Sequence, residues 1–227
     1  ISLCMITKNE EKHLENCLNS VKKFIDEIII ADTGSTDKTK EIARKFTNKI
    51  YDFKWNDDFS AARNFCLQKA TKDWILVLDT DETISNKDLE EIKILTNENK
   101  KNKETPGYSF IQRTYLNETK KLKFNYAEND FYEESKPFLG WTHRRITRLF
   151  RNDKKIKFIY QVHETVIESI KNINGKIKQT NIPIHHYEIL KGKDFNNKKC
   201  NYYIKLLKNK IKLHPKAKFY FELALEL

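Results

Sequence analysis

The chain has 227 residues, of which 39% are hydrophobic and 12% aromatic, with 5 Gly and 4 Pro; this suits one large domain or one domain with an appendage, since domains run to roughly 100–200 residues. That composition excludes a disordered, collagen-like or disulfide-stapled protein. Lys and Arg total 43 against 32 Asp and Glu, a net charge of +11, which leaves nucleic acid, an anionic membrane surface and a phosphate-bearing substrate as partner classes.

The charge is uneven. From Lys191 to Leu227 ten Lys face only Asp194, Glu222 and Glu226, a net of +7. Lys and Asn are abundant throughout, so biased composition is the plain alternative to a basic binding surface. No apolar run approaches the roughly 18 residues of a membrane span, and the opening ISLCMITKNE lacks the basic segment and cleavage site of an export signal. The chain opens on a strand without Met, as a trimmed sequence would. Cys4, Cys17, Cys66 and Cys200 match neither a zinc spacing nor a disulfide framework, and read as reduced core thiols in a cytoplasmic protein.

In chain order, apolar runs alternate with segments of 3.6-residue period over the first hundred residues, which predicts βαβ units around a mostly parallel sheet. Ile1 to Thr7 is a strand. Asn9 is expected to cap a helix with Leu14, Leu18, Val21 and Ile25 on one face. Glu27 to Ala31 is a strand buried on both faces, Asp32 to Asp37 a turn, and the next helix runs through Ile42, Ala43 and Phe46. Lys49 to Phe53 is a short strand. Ser60 is expected to cap a helix carrying Arg63, Cys66, Leu67 and Ala70, and Trp74 to Leu78 is a fourth strand ending in Asp79-Thr80-Asp81-Glu82. Ser85 and Asp88 resemble a capping box before Leu89, Ile92 and Leu95.

Asn97 to Thr105 reads as a surface break. Beyond it Tyr108 to Leu116, Arg144 to Phe150, Ile156 to His163 and Ile182 to Tyr187 are predicted strands in an α+β extension. Residues 117 to 143, rich in aromatics and acids, have the character of a loop over a site. Residues 195 to 213 and those after His214-Pro215 predict a helical hairpin. The domain boundary is placed at 190, with 191–227 as a helical segment cut short.

Ligands of open parallel sheets bind beyond the carboxyl ends of the strands. Three such ends carry polar residues: Thr7, Asn9 and Glu10; Asp32; and Asp79 with Asp81. Carboxylates gathered at one sheet edge repel each other unless a cation or donors lie between them, which predicts a divalent metal, Mn²⁺ or Mg²⁺ by ligand hardness. No G-x-G-x-x-G or G-x-x-x-x-G-K-[ST] occurs, so dinucleotide and P-loop readings lose support.

Four ordered motifs, Ile6-Thr7-Lys8-Asn9-Glu10-Glu11, Ala31-Asp32-Thr33-Gly34-Ser35-Thr36-Asp37, Phe59-Ser60-Ala61-Ala62-Arg63-Asn64 and Leu78-Asp79-Thr80-Asp81-Glu82, together resemble a family 2 glycosyltransferase of the GT-A fold. Thr147 to Asn152, Val162-His163-Glu164 and Ile184-His185-His186-Tyr187 are similar to the branch with tetratricopeptide-like repeats after the catalytic domain. The resemblance implies an α/β GT-A domain followed by the start of such repeats. It implies transfer from a nucleotide-diphosphate sugar, UDP-linked, with inversion, to a peptide, protein or glycan acceptor.

Residue by residue, the resemblance implies that Thr7, Asn9, Glu10 and Asp32 hold base and ribose with Arg63 nearby, and that Asp79 meets ribose or metal. Asp81 would bind the metal and His186 would be a later ligand. His185 beside it leaves the register open, and Glu188 stands where relatives carry Gly. Glu164 is the candidate base, with Asp130, Glu133 and Glu134 as rivals. His163 reads equally as a core histidine or as a residue that orients Glu164 or touches phosphate. Arg144, Arg145, Arg148 and Arg151 read mainly as a solvated face, with contact to the diphosphate as the alternative, and Trp55 and Trp141 read as packing or as a stacking platform. The tail lies outside this nucleotide site, so it is expected to serve the acceptor or self-association. A nucleotidyltransferase would need a Gly-rich first loop, which is missing, and a nucleic-acid-binding module would need an aromatic-basic motif, also missing.

Overall fold

The computed structural model describes residues 1–98, 105–119, 124–191 and 193–227, the side chains of 193–199 excepted. In chain order the elements are β1 (Ser2–Thr7), α1 (Leu14–Val21), β2 (Glu27–Asp32), α2 (Thr39–Arg44), β3 (Ile50–Asp52), α3 (Phe59–Leu67), β4 (Trp74–Val77), β5 (Glu82–Thr83) and α4 (Asn86–Glu98). Then come β6 (Gly107–Leu116), β7 (Asn125–Tyr126), β8 (Gly140–Arg151), α5 (Ile167–Asn172), β9 (Ile177–His186), α6 (Lys193–Leu213) and α7 (Ala217–Glu226). The strands form one sheet in the order β3-β2-β1-β4-β8-β6-β9-β5, with β7 on β8. The first four strands in that order are parallel, and β8 then runs antiparallel to both β4 and β6. The βαβ pattern thus holds as far as β4, where the chain reverses.

Strand periodicity explains the two-sided core. Leu3, Met5, Ile28 and Ile30 face one layer with Leu14, Leu18 and Val21 of α1, Ala43 of α2 and Leu89 and Ile92 of α4. Cys4, Ile29 and Ala31 face the other, with Cys66 of α3 and Ile170 of α5. Truncating a wholly buried residue such as Leu76 to Ala would cost about 2–5 kcal/mol. Cys4, Cys17 and Cys66 are free, buried thiols. No helix among the described residues is long and apolar enough to cross a membrane.

Several local expectations are corrected. Asn9 does not cap α1: its backbone is left-handed (φ 54°), and its Oδ1 accepts from Thr36 N at 2.8 Å, tying the two first loops together. Asp58, not Ser60, caps α3 by accepting from Ala61 N at 3.0 Å; Ser60 donates to Asp58 instead. Ser85 bonds the Asp88 side chain, while Asp88 N donates to the Ser85 carbonyl. Residues 156–163 are not a strand. Only Ile159 bridges Thr165, and the left-handed Tyr160 and His163 break any ladder there. The short α5 has no counterpart among the expected elements, and the expected break at 97–105 falls largely outside the described residues.

Candidate functional site

The parallel strands bring their carboxyl ends to one edge, and register fixes the pairs: Thr7 lies opposite Asp32. Asp32, 1% exposed, accepts at Oδ2 from Thr7 Oγ1 (3.2 Å) and at Oδ1 from Gly34 N (3.0 Å) and Ser35 N (2.8 Å). Gly34 adopts φ 104°, which a side chain would strain, so the turn needs glycine there. Glu10 sits beside this turn, its backbone N–H on Thr39 Oγ1 at 2.7 Å.

Across from it, α3 aims Arg63 at the end of β4. Arg63 donates from Nη2 to Asp79 Oδ1 (2.7 Å) and from Nε to Glu164 Oε1. Arg148 of β8 donates to Asp79 Oδ2 and to Glu82 Oε1, the latter at 2.7 Å. Asp79, expected at ribose or metal, thus has both carboxylate oxygens on arginines. Burial would raise the Asp79 carboxyl, but the Arg148 and Arg63 charges outweigh it and hold it well below the usual range. Among the described residues, Arg63 Nη1 and Arg148 Nε are buried without a hydrogen-bond partner. Buried guanidinium donors left open in this way suit an anion.

The pairing of β5 with β9 sets Glu82 opposite His186, and Tyr187 N donates to the Asp81 carbonyl at 2.9 Å. His186 Nε2 then lies 3.6 Å from Asp81 Oδ2, while its Nδ1 is 3.1 Å from Thr114 Oγ1. Burial would raise Asp81, yet the His186 hydrogen bond and the charges of His186 and Lys191 keep it well below an ordinary carboxyl. Lys191 Nζ bridges Glu10 Oε1 (2.7 Å) and Asp81 Oδ2 (3.0 Å). One carboxylate and one imidazole, with the imidazole's other nitrogen hydrogen-bonded, would suit a Mn²⁺ or Mg²⁺ that takes its remaining ligands from phosphate and water, with the Lys191 ammonium giving up Asp81 Oδ2 to the ion. Among the described residues no group of three His, Cys, Asp or Glu forms a complete protein cage.

The family pattern described as Glycosyl transferase family 2 matches residues 2–150. The chain belongs to this family. A TPR repeat-containing protein of Synechococcus elongatus is 36% identical over 170 residues, covering 75% of this chain and 36% of that protein. The SPbeta prophage-derived glycosyltransferase SunS of Bacillus subtilis is 32% identical over 166 residues, covering 72% of this chain and 34% of that one. The chain therefore spans about a third of the length of these two relatives. In fold, it resembles S. aureus TarS in complex with UDP-GlcNAc (TM-score 0.53, 17% identity, covering 91% of this chain and 65% of that chain). It also resembles glucosyl-3-phosphoglycerate synthase from Mycobacterium tuberculosis with Mn²⁺ and UDP-Glc (TM-score 0.54, 12% identity, covering 91% of this chain and 76% of that one). Both likenesses support the GT-A architecture.

In this family 2 glycosyltransferase domain, the expected residues Thr7, Asp32, Arg63, Asp79, Asp81, Glu164 and His186 all converge on one sheet edge, and Asn9 and Glu10 flank it. Glu82 escaped sequence reasoning, and Arg148 reads from the sequence mainly as part of a solvated face, with diphosphate contact as the alternative. Alternation suggested a solvated arginine face, yet Arg148 is 4% exposed, and the signal available was the buried run it shares with Thr147, Leu149 and Phe150. Its neighbours behave differently: Arg144 donates to Gln112, Arg145 donates to the Thr180 carbonyl, and Arg151 stacks on Trp74. Trp55 packs on Phe59 and donates to Asp57 and Tyr202, and Trp141 stacks under Arg113.

Of the rival bases, Asp130 is held by Arg113 at 2.8 Å, Glu133 is an exposed partner of Lys136, and Glu134 lies 4.0 Å from His185 Nε2. His185 is buried away from Asp81, bonded to Tyr115 Oη at 2.6 Å, and burial followed by the Arg113 charge pushes it down to about 3. A separate cleft of about 640 Å³ lies at the opposite end of β1 and β2, lined by Lys22, Glu27, Lys45 and Lys49. Two of its lysines are already paired, Lys45 with Glu15 and Lys49 with Glu27, as on a solvated surface.

Proposed function

We propose that this chain transfers a sugar from a UDP-linked donor to an acceptor nucleophile by a single inverting displacement, with a divalent cation at the diphosphate. One observation carries the reading: Arg63 is held between Asp79 and Glu164, with a buried open donor, in the same site as the facing pair Asp81 and His186.

The roles follow from charge. Thr7, Asn9, Glu10 and Asp32 line the end of the site suited to base and ribose. Asp81 and His186 would hold Mn²⁺ or Mg²⁺, which supplies positive charge to the departing diphosphate. Arg63 Nη1 donates to that same leaving group, while Asp79 and Glu82 keep Arg63 and Arg148 fixed and compensated. An acceptor oxygen attacks the anomeric carbon, the bond from that carbon to the diphosphate oxygen breaks with its electron pair, and the acceptor proton passes to Glu164. Arg63 occupies Oε1 of that carboxylate, so Oε2 is the proton-accepting atom.

The complex of glucosyl-3-phosphoglycerate synthase with Mn²⁺ and UDP-Glc, a structural neighbour, supports the cation and the donor class. The TPR repeat-containing relative supports a peptide or protein acceptor, because repeat helices commonly form extended binding surfaces. The test is turnover of UDP-glucose and UDP-GlcNAc with Mn²⁺, with Mg²⁺ and with chelator, followed by NMR assignment of the product anomer. Metal-dependent release of UDP with an inverted product is expected. Absence of turnover under every condition would favour a non-catalytic basic binding module.

A further inference from the structure

The segment that delivers Glu164 has a costly backbone. Tyr160 (φ 74°) and His163 (φ 49°) both occupy the left-handed region, which residues bearing a Cβ hold only where their surroundings impose it. Those surroundings come from α6 and α7. Lys210 of α6, 1% exposed, donates from Nζ to the Val162 carbonyl at 2.9 Å and to Glu222 Oε2 of α7 at 2.8 Å. Its ammonium lies 4.1 Å from the centre of the Phe219 ring and 4.9 Å from that of Tyr160.

The grip extends along the loop. Glu222 Oε2 lies 3.4 Å from His163 Nδ1, and Glu226 Oε1 lies 3.7 Å from Nε2. Val162 is wholly buried against Leu206 and Leu207. Tyr160 Oη accepts from Lys216 Nζ at 3.0 Å. Residues 160, 162 and 163 are each held by the hairpin, and the next residue is Glu164 on Arg63.

We propose that Lys210 and Glu222 are positioning residues: they lock the 160–163 backbone so that the Glu164 carboxylate stays on Arg63 and faces the acceptor. The hairpin, expected from the sequence to serve the acceptor, then acts on the proton-accepting group. This proposal rests on the reading of Glu164 as the base. A buried ammonium persists only when paired, so Glu222 holds Lys210 as Lys210 holds the loop.

The test uses the full chain with Lys210→Met and, in case that variant unfolds, His163→Asn. Asn tolerates the left-handed backbone but is too short to keep both carboxylate partners, and His163 is 32% exposed, so folding is spared. Each variant should lower kcat for transfer to a hydroxyl tenfold or more while KM for the nucleotide-sugar stays within twofold. In a Glu164→Gln background the same changes should lower kcat less than twofold further, because the group they position no longer accepts a proton. Amide hydrogen exchange should rise at residues 159–165 in both variants. Unchanged exchange there, or a full additional loss in the Glu164→Gln background, overturns the positioning role. An unchanged rate in Glu164→Gln alone overturns the assignment of the base, whatever the exchange shows.

Discussion

Arg63 donates from Nε to Glu164 Oε1 across 101 residues of chain, joining the only arginine of α3 to the loop after β8. The contact gives Arg63 two anionic neighbours, because Asp79 takes its Nη2. One charged cross-link therefore spans the proposed leaving-group and acceptor sides of the site, and substitutions on either side separate its parts.

Asp81→Ala should abolish metal-dependent turnover, because the diphosphate loses its counter-charge as negative charge develops. A fall of roughly 10²-fold or more is expected, in line with loss of one electrostatic stabiliser. Steady-state rates across a Mn²⁺ titration check it, and turnover within threefold of the unaltered chain would remove Asp81 from the metal site.

Glu164→Gln should lower transfer to a hydroxyl acceptor by about 10²–10⁴-fold, the usual range for general base catalysis. The amide oxygen can still accept from Arg63, so nucleotide affinity should stay near that of the unaltered chain. Loss of nucleotide binding, measured by calorimetry, would show that Glu164 supports the site and does not act on the proton. A thiol acceptor should suffer less, since its proton leaves more readily near neutral pH.

Asp32→Ala should act on binding. The side chain's acceptance from Gly34 N and Ser35 N shapes the turn beside the nucleotide end. Hydrogen bonds to a charged group are worth about 1.5–3 kcal/mol each, so Kd for UDP should weaken roughly tenfold or more while the saturated rate changes little. A changed rate constant with unchanged Kd would contradict the placement.

Arg148→Met should destabilise the fold as well as the site. Glu82 is wholly buried and shares Arg148 with Asp79, so removing the guanidinium leaves carboxylates in a poor solvent for charge. Breaking a buried pair costs about 3–5 kcal/mol. Chemical denaturation should show the loss, and an unchanged midpoint would mean that Arg148 is not needed to neutralise Glu82.

Glu27 should contribute to acid sensitivity. Burial would raise its carboxyl, but bonds from Lys49, Ser2 and Thr71 lower it from 4.5 to about 2. A carboxyl depressed by folding adds stability that is complete above the unfolded value and disappears as pH falls through the folded one. The window is therefore pH 4.5 down to 2. Glu27→Gln should flatten the stability profile across that window in urea titrations, and an unchanged slope would assign the acid sensitivity elsewhere.

The sequence by itself determined the βαβ half of the domain and named most of the residues that lie together at the candidate site. A short, β-branched apolar run such as Ile28-Ile29-Ile30, set between helical periods and closed by a turn, reads as a strand buried on both faces, and parallel connection puts Thr7, Asp32 and Asp79 at one edge. Four motifs in order added the family.

The tertiary structure alone decided the remaining contacts, because they depend on pairings between distant segments that local periodicity does not encode. The antiparallel entry of β8 beside β4 buries Arg148 on Asp79, and the β5–β9 register brings His186 rather than His185 to Asp81. A run read as a strand at 156–163 is an irregular loop with left-handed Tyr160 and His163, held by Lys210 on the Val162 carbonyl, by Glu222 at His163 and by Leu206 and Leu207 on Val162. Local sequence sets which face of an element is apolar; the partner across the sheet sets which charge meets which.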